Sequence, residues 1–355
     1  MISFAARVVA WQRMHGRRDL PWQQAPDPYR IWLSEIMLQQ TQVATVLPYF
    51  VRFVAAFPDV AALASAPLAR VLEHWSGLGY YRRAHHLHAA ARIVVERHDG
   101  RFPSDSATLA TLPGIGRSTA AAIAAFSGGE RAAILDGNVK RVLARHGGVD
   151  GWPGAPKVEA RLWEIASSRL PNLDGEGDAC GTMTAYTQGL MDLGATVCTR
   201  NRPRCDACPV GDDCVAHREQ RSDVLPACRP RKLLPKREIN VLLLEHDGRL
   251  LFERRPLLGV WPGLWGFPEF DVNDDLSERA CARFGIVANE CVPMPVLRHV
   301  FTHFALTMHP MRIRLEAPPA QAHADDLTWL SIDEARSAAV PAPVRRMLDS
   351  ISRPL

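Results

Sequence analysis

Apolar residues in the first part of the chain recur three and seven to nine positions apart. Ile31 and Leu38 lead on to Val46, Leu63 to Val71 and Leu72, Ile123 to Phe126, and Leu162 to Ile165. Such spacing gathers each set on one face of a 3.6-residue period and predicts helices. Residues 1–220 are therefore expected to be all-α. The pattern changes further on. Residues 238–244 and 249–253 are short apolar runs, and His246, Asp247 and Gly248 between them are a hairpin signal. Residues 312–315 alternate, and a helix is expected from Ile332 to Ser337. Residues 237–355 thus read as a separate α+β domain. In the joint, 221–236, Pro226, Pro230 and Pro235 forbid a continuous helix and favour an extended linker.

The longest unbroken apolar run, 120–126, has seven residues, whereas a helix needs about 20 to cross a bilayer. Arg7 interrupts the only apolar stretch near the N-terminus, with no cleavage pattern behind it, so no secretory signal is expected and the chain is placed in the cytoplasm. With 355 residues, 47% hydrophobic and 23% charged, the composition is that of a folded globular protein and excludes disorder or a collagen-like chain. The net charge of +4 is unevenly spread: +3 over residues 1–220, +4 over 221–238 and −3 over 239–355. A weakly basic front and a basic joint are compatible with a polyanion on one face. The 38 Arg against 4 Lys read as codon bias.

Cys198, Cys205, Cys208 and Cys214 form C-x6-C-x2-C-x5-C, interleaved with Arg200, Arg202 and Arg204. In a reducing compartment such thiols converge on a metal centre more often than they form disulfides. The spacing leaves tetrahedral zinc and an iron-sulfur cluster both open. Cys180, Cys228, Cys281 and Cys291 have no such grouping and are expected to be small buried apolar residues. Leu112, Pro113, Gly114, Ile115 and Gly116 lie between two helical stretches. The two glycines permit a tight turn whose N–H groups open the second helix, a site for phosphate. Glu35 falls on the apolar face of an expected helix over 32–46, where burial would keep its carboxyl protonated as a general acid requires. Asp136 sits at a helix start, as an N-cap does. Two carboxylates around one cleft suit a glycosidic bond, one donating a proton and the other facing a cationic sugar.

Several stretches, in this order, resemble the MutY family of adenine DNA glycosylases within the endonuclease III superfamily. They are PYRIWLSEIMLQQTQ at 28–42, GLGYY at 77–81, LPGIG at 112–116, LDGNV at 135–139 and the four cysteines. The likeness covers about residues 1–225. It implies a helix-hairpin-helix glycosylase domain whose loop 198–214 holds a 4Fe-4S cluster. The family flips out adenine mispaired with 8-oxoguanine and hydrolyses its N-glycosidic bond. By this resemblance Glu35 would protonate adenine on N7, Asp136 would stabilise or transiently bond the C1′ cation, and Asn138 would support Asp136. Gln40 and Tyr80 would fill the gap at the lesion, and Trp22, Leu38 and Gln188 would line the adenine pocket, while Leu112, Gly114 and Gly116 would hold phosphate.

Endonuclease III enzymes carry a strand-cutting lysine just after the hairpin, and some MutY relatives a tyrosine; this chain has Ser118 there among the catalytic positions. A monofunctional glycosylase is therefore expected, with Lys140 a phosphate or incidental contact. Residues 237–355 resemble the Nudix-like domain that MutY proteins append, most clearly in WPGLWGFP at 261–268. Residues 277–285 lack the paired glutamates of an active Nudix box, so the domain would bind and not hydrolyse. The family senses 8-oxoguanine with a Phe-Ser-His loop, matched by Phe301, Thr302 and His303. The expected partner is duplex DNA with an A:8-oxoguanine or A:G mispair, bound by a monomer at the nucleoid. The rival readings are a pyrimidine glycosylase-lyase, which needs the lysine missing at 118, and a non-enzymatic cluster protein scanning DNA, which needs neither Glu35 nor Asp136.

Overall fold

A computed structural model describes residues 2–24, 27–173, 178–230, 233–286, 291–319 and 326–351. The chain divides into two compact units, one of Met1–Ser65 with His86–Arg231 and the other of Ala66–His85 with Lys232–Leu355. Among the described residues no helix is long and apolar enough to cross a membrane.

The first unit is helical. Its elements are α1 (Phe4–His15), α2 (Pro28–Leu38), α3 (Val43–Ala56), α4 (Val60–Ser65) and, after α5 (Leu68–Trp75) of the other unit, most of α6 (Arg82–His98). Next come α7 (Ser106–Leu109), α8 (Arg117–Gly128), α9 (Gly137–His146), α10 (Pro156–Ser168), α11 (Ala179–Asp192) and α12 (Val215–Arg218). The single helix expected over 32–46 is two helices. Asp27 caps α2 by accepting from Tyr29 N–H and Pro28 presets its first turn. The helix stops at Leu38, Gln40 takes a φ of 57°, and Val46 is buried on the next helix. The periodicity misleads because both helices bury their apolar residues, so a break at four polar residues leaves the spacing intact. Six consecutive residues of α8, Ala120–Ala125, are buried, which makes it a central helix enclosed on all sides. Its small side chains admit α2 on one side and α11 on another.

In the second unit β1 (Lys236–His246) and β2 (Arg249–Arg254) form the expected hairpin, with Glu245 opposite Leu250. Asp247 and Gly248 have φ of 48° and 70°, the turn whose twist matches two antiparallel strands. The remaining elements are β3 (Trp265–Gly266), β4 (Glu269–Asp271), α13 (Leu276–Phe284), β5 (Cys291–Pro293), β6 (Leu297–Val300), β7 (Ala305–Arg314), β8 (Leu327–Ser331), α14 (Ile332–Ser337) and α15 (Ala342–Ile351). β1 pairs in parallel with β7 from Lys236 opposite Ala305 to Glu245 opposite Arg314. Both sheet faces are covered. Val241 and Leu243 pack in the core that includes Val344, Met347 and Leu348 of α15, and Leu242 and Leu244 pack with Ala280 and Phe284 of α13. Hence β1 reads as an unbroken apolar run and not as an alternation.

The segment around α5 is tied into this unit. Tyr81 Oη donates to the Val340 carbonyl, and Arg345 donates to Ser76 Oγ at 3.0 Å. At the joint, Leu225 is buried and its carbonyl accepts from Arg145. Described residues of 226–235 form no helix or strand; Arg231 and Lys232 lie outside the described residues. Cys180, Cys228 and Cys281, expected to be buried, are exposed, and Cys291 is half-buried. Cys281 follows Ala280 on α13, so it faces away from the core that Ala280 and Phe284 enter, and Cys180 sits in the first turn of α11.

Candidate active site

α2 buries residues all round its circumference, including Tyr29, Ile31, Trp32, Leu33, Ser34, Ile36 and Met37. Glu35 is half-buried and opens into a cavity of about 280 Å³. Trp22, Leu38 and Gln188, the residues expected around adenine, line the same cavity. Burial, with Asp136 adding its charge, pushes the Glu35 carboxyl up to about 8. Asp136 is the N-cap of α9 and accepts from Val139 N–H at 2.7 Å. Burial raises its carboxyl too, and the N–H groups of Val139 and Asn138 and the cations Arg141 and Lys140 only partly offset that rise.

Arg17, Gln23 and Gln188, which line the cavity, are tied together by a buried carboxylate behind it. Asp192, 1% exposed, takes two hydrogen bonds from Arg17, from N–H at 2.9 Å and from Nε at 2.7 Å. It also accepts from Gln188 Nε2 at 2.8 Å. Gln188 Oε1 in turn accepts from Gln23 Nε2, and Gln23 Oε1 from Leu20 N–H. Since a carboxylate only accepts, this chain fixes which way each amide faces.

In the hairpin Leu112 is buried, Gly114 has a φ of 79°, and Gly116 begins α8 with no side-chain cap. A Cβ on Gly114 would also meet His86 Cβ at 2.8 Å, so glycine is required twice over. Gln39 Nε2, at the end of α2, donates to the Gly114 carbonyl at 3.2 Å. Ser118 Oγ accepts from Leu135 N–H at 2.8 Å. Lys140, expected as a phosphate or incidental contact, pairs with Glu159 at 2.7 Å. Gln40 is exposed in the first unit, and Tyr80, 51% exposed with a φ of 49°, belongs to the second.

Cys198, Cys205, Cys208 and Cys214 line one cavity. Burial pushes the Cys208 thiol up to about 12, and the other three sulfurs reinforce the shift. Four thiols lining a shared space are a donor set that fits an iron-sulfur cluster as well as tetrahedral zinc. Arg145, 3% exposed, holds this loop through Cys198 Sγ, the Thr199 carbonyl and the Arg200 carbonyl. Arg141 donates to the Cys198 and Gly194 carbonyls and to Asn138 Oδ1. Gly194 lies so close to Asn138 that a Cβ would stand 2.6 Å from Asn138 Cβ.

In the second unit, Phe301, Thr302 and His303 form the tip between β6 and β7, with Thr302 and His303 exposed. Phe301 stacks on Phe304 at 4.5 Å and meets Trp261 at 5.1 Å, so aromatic rings support the tip from below. α13 has Glu278 as the one acid in its first turn.

Residues 33–168 match the HhH-GPD superfamily of base excision DNA repair proteins, and residues 240–350 match the NUDIX domain. The chain is 34% identical to an adenine DNA glycosylase of Buchnera aphidicola subsp. Acyrthosiphon pisum (strain APS), over 99% of this chain and 98% of that one. The chain belongs to the adenine DNA glycosylase family. The glycosylase is also 33% identical to the adenine DNA glycosylase of Mus musculus, over 97% of this chain and 77% of that one. A solved thermostable thymine-DNA glycosylase superposes with a TM-score of 0.53 at 28% identity, covering 61% of this chain and 95% of that one. The protein is thus a DNA N-glycosylase of base excision repair, a hydrolase that binds DNA.

Sequence reasoning missed Arg17 and Gln23 in the glycosylase cavity, Asp192 behind them, and Arg141, Arg145 and Gly194 behind the Asp136 loop. Arg141 and Arg145 lie one turn apart on α9, five and nine residues after Asp136, a repeat of cations on one helix face that the sequence shows. Asp192 carried no local signal, because its partner Arg17 is 175 residues away.

Proposed function

We propose that this glycosylase excises adenine paired with 8-oxoguanine or guanine, by hydrolysis and without cutting the strand. The observation that carries the reading is an acid aimed into a cavity: Glu35, raised to about 8 and so protonated at neutral pH, opens into it, with Asp136 close enough to add its charge to that shift. A flipped adenine would enter the cavity between Trp22, Leu38 and Gln188. Glu35 donates its proton to N7, the C1′–N9 bond breaks with its electron pair leaving on the base, and positive charge develops at C1′. Asp136 stabilises that cation, and water adds at C1′ and loses a proton. Strand cutting would require an amine nucleophile at position 118, where the hydroxyl of Ser118 is engaged by Leu135 N–H.

Cys198, Cys205, Cys208 and Cys214 would hold a 4Fe-4S cluster, consistent with four thiols around one cavity. Its part is to fasten the loop that exposes Arg200, Arg202 and Arg204 to phosphates. The exposed tip of Phe301, Thr302 and His303 would read the 8-oxoguanine. The test compares duplexes containing A:8-oxoguanine, A:G, A:T and thymine glycol. Excision of adenine from the first two, with an intact strand until alkali is added, is expected. Thymine glycol release with borohydride-trappable strand cutting would overturn the reading.

A further inference from the structure

Ser118 is the second residue of α8, immediately beyond the hairpin, yet its hydroxyl turns toward the protein. Oγ accepts from the N–H of Leu135 at 2.8 Å. Leu135 is 3% exposed and lies in the irregular stretch between α8 and α9. Amides in such a stretch have no helix or sheet ladder to bond to, and a buried one without an acceptor is unfavourable. Leu135 is also the residue before Asp136. On its other side Asp136 is pinned by the hydrogen bond from Val139 N–H to Oδ1 at 2.7 Å.

We propose that Ser118 is a positioning residue for Asp136, clamping the backbone one residue upstream so that the carboxylate is held in place from both sides. The inference rests on the reading of Asp136 as the group facing the sugar cation. The start of α8 is a firm base for such a clamp. Two residues earlier the chain leaves the hairpin, where Gln39 from the end of α2 bonds the Gly114 carbonyl and lies 3.5 Å from Thr119 Oγ1. The same helix start is therefore tied to the Glu35 helix and to the Asp136 loop, and it registers the two acids against each other. The residue type matters. A serine or threonine hydroxyl supplies the lone pair that Leu135 N–H needs, alanine supplies nothing, and a lysine has donors only.

The experiment measures single-turnover adenine excision against pH, and affinity for an uncleavable A:8-oxoguanine duplex, in the full-length wild type, Ser118→Ala, Ser118→Thr and Asp136→Asn proteins. Ser118→Ala should slow excision by about 10- to 100-fold, as a loosened reacting group does, with duplex affinity unchanged. Its loss should deepen at acid pH, because a less firmly capped Asp136 takes up a proton more readily. Ser118→Thr should restore most of the rate, which separates the hydroxyl from general packing. A Ser118→Ala protein with the wild-type rate and pH profile would overturn the proposal. So would a loss confined to duplex affinity, which would make Ser118 a DNA contact, or a Ser118→Thr as slow as Ser118→Ala. An active Asp136→Asn would instead overturn the assignment of Asp136 itself, and this inference with it.

Discussion

Glu35→Gln separates the proton from everything else the side chain does. With the carboxyl raised from 4.5 to about 8, roughly nine-tenths of the molecules carry the proton at neutral pH. The same shift opposes folding. The folded chain binds this proton more tightly than the unfolded chain, so the group's contribution is fully present below 4.5 and is lost as pH rises toward about 8. The loss runs at about 1.4 kcal/mol per pH unit and reaches about 3 kcal/mol near neutrality. Glutamine has no charge to bury. Glu35→Gln should therefore match wild type in stability near the acid end and exceed it around neutral pH by up to about 3 kcal/mol, less whatever the open cavity screens. Urea unfolding followed by circular dichroism at both ends of that window reads the difference. In single turnover the variant should excise adenine on the order of 10²- to 10⁴-fold more slowly while binding the duplex normally. The wild-type rate should itself decline above the raised value, where Glu35 has no proton to give. A variant with the same pH dependence of stability as wild type, or an excision rate within a few-fold of it, would refute the argument.

Gly194→Ala would drive a methyl group into Asn138, so excision should slow while iron content and duplex affinity hold; overpacking of this kind costs about 1 to 3 kcal/mol, readable in a melting curve. Cys208→Ser should lower iron from about four per chain and weaken duplex binding, measured by metal analysis and band shift; unchanged binding would make the cluster incidental. His303→Ala and Phe301→Ala should reduce the preference for A:8-oxoguanine over A:G in competition assays, with A:G excision kept. These point changes are better probes than deletion of residues 237–355, because the α5 segment bonds to that unit through Tyr81 and Ser76.

The helical first part, the hairpin of β1 and β2, the hairpin glycines and the four grouped cysteines were all legible in the linear pattern, because each depends on residues a few positions apart. Glu35 and Asp136 were likewise placed by local context, one on a buried helix and one at a helix start. Local periodicity could not show that α2 ends at Leu38, since burial of both α2 and α3 keeps the same spacing across the break. Nor could it show the exposure of Cys281, which depends on which face of α13 the sheet covers. Other features join distant positions and have no signature within a window of sequence: β1 lying parallel to β7, Asp192 held by Arg17, Ser118 receiving Leu135 N–H, and Gly194 pressed on Asn138. The raised carboxyl of Glu35 was expected from its place on an apolar helix face, but not the part Asp136 plays in it. Its chemical identity is written in the chain, but its pKa is set by desolvation and by the charge of Asp136, which only folding brings near.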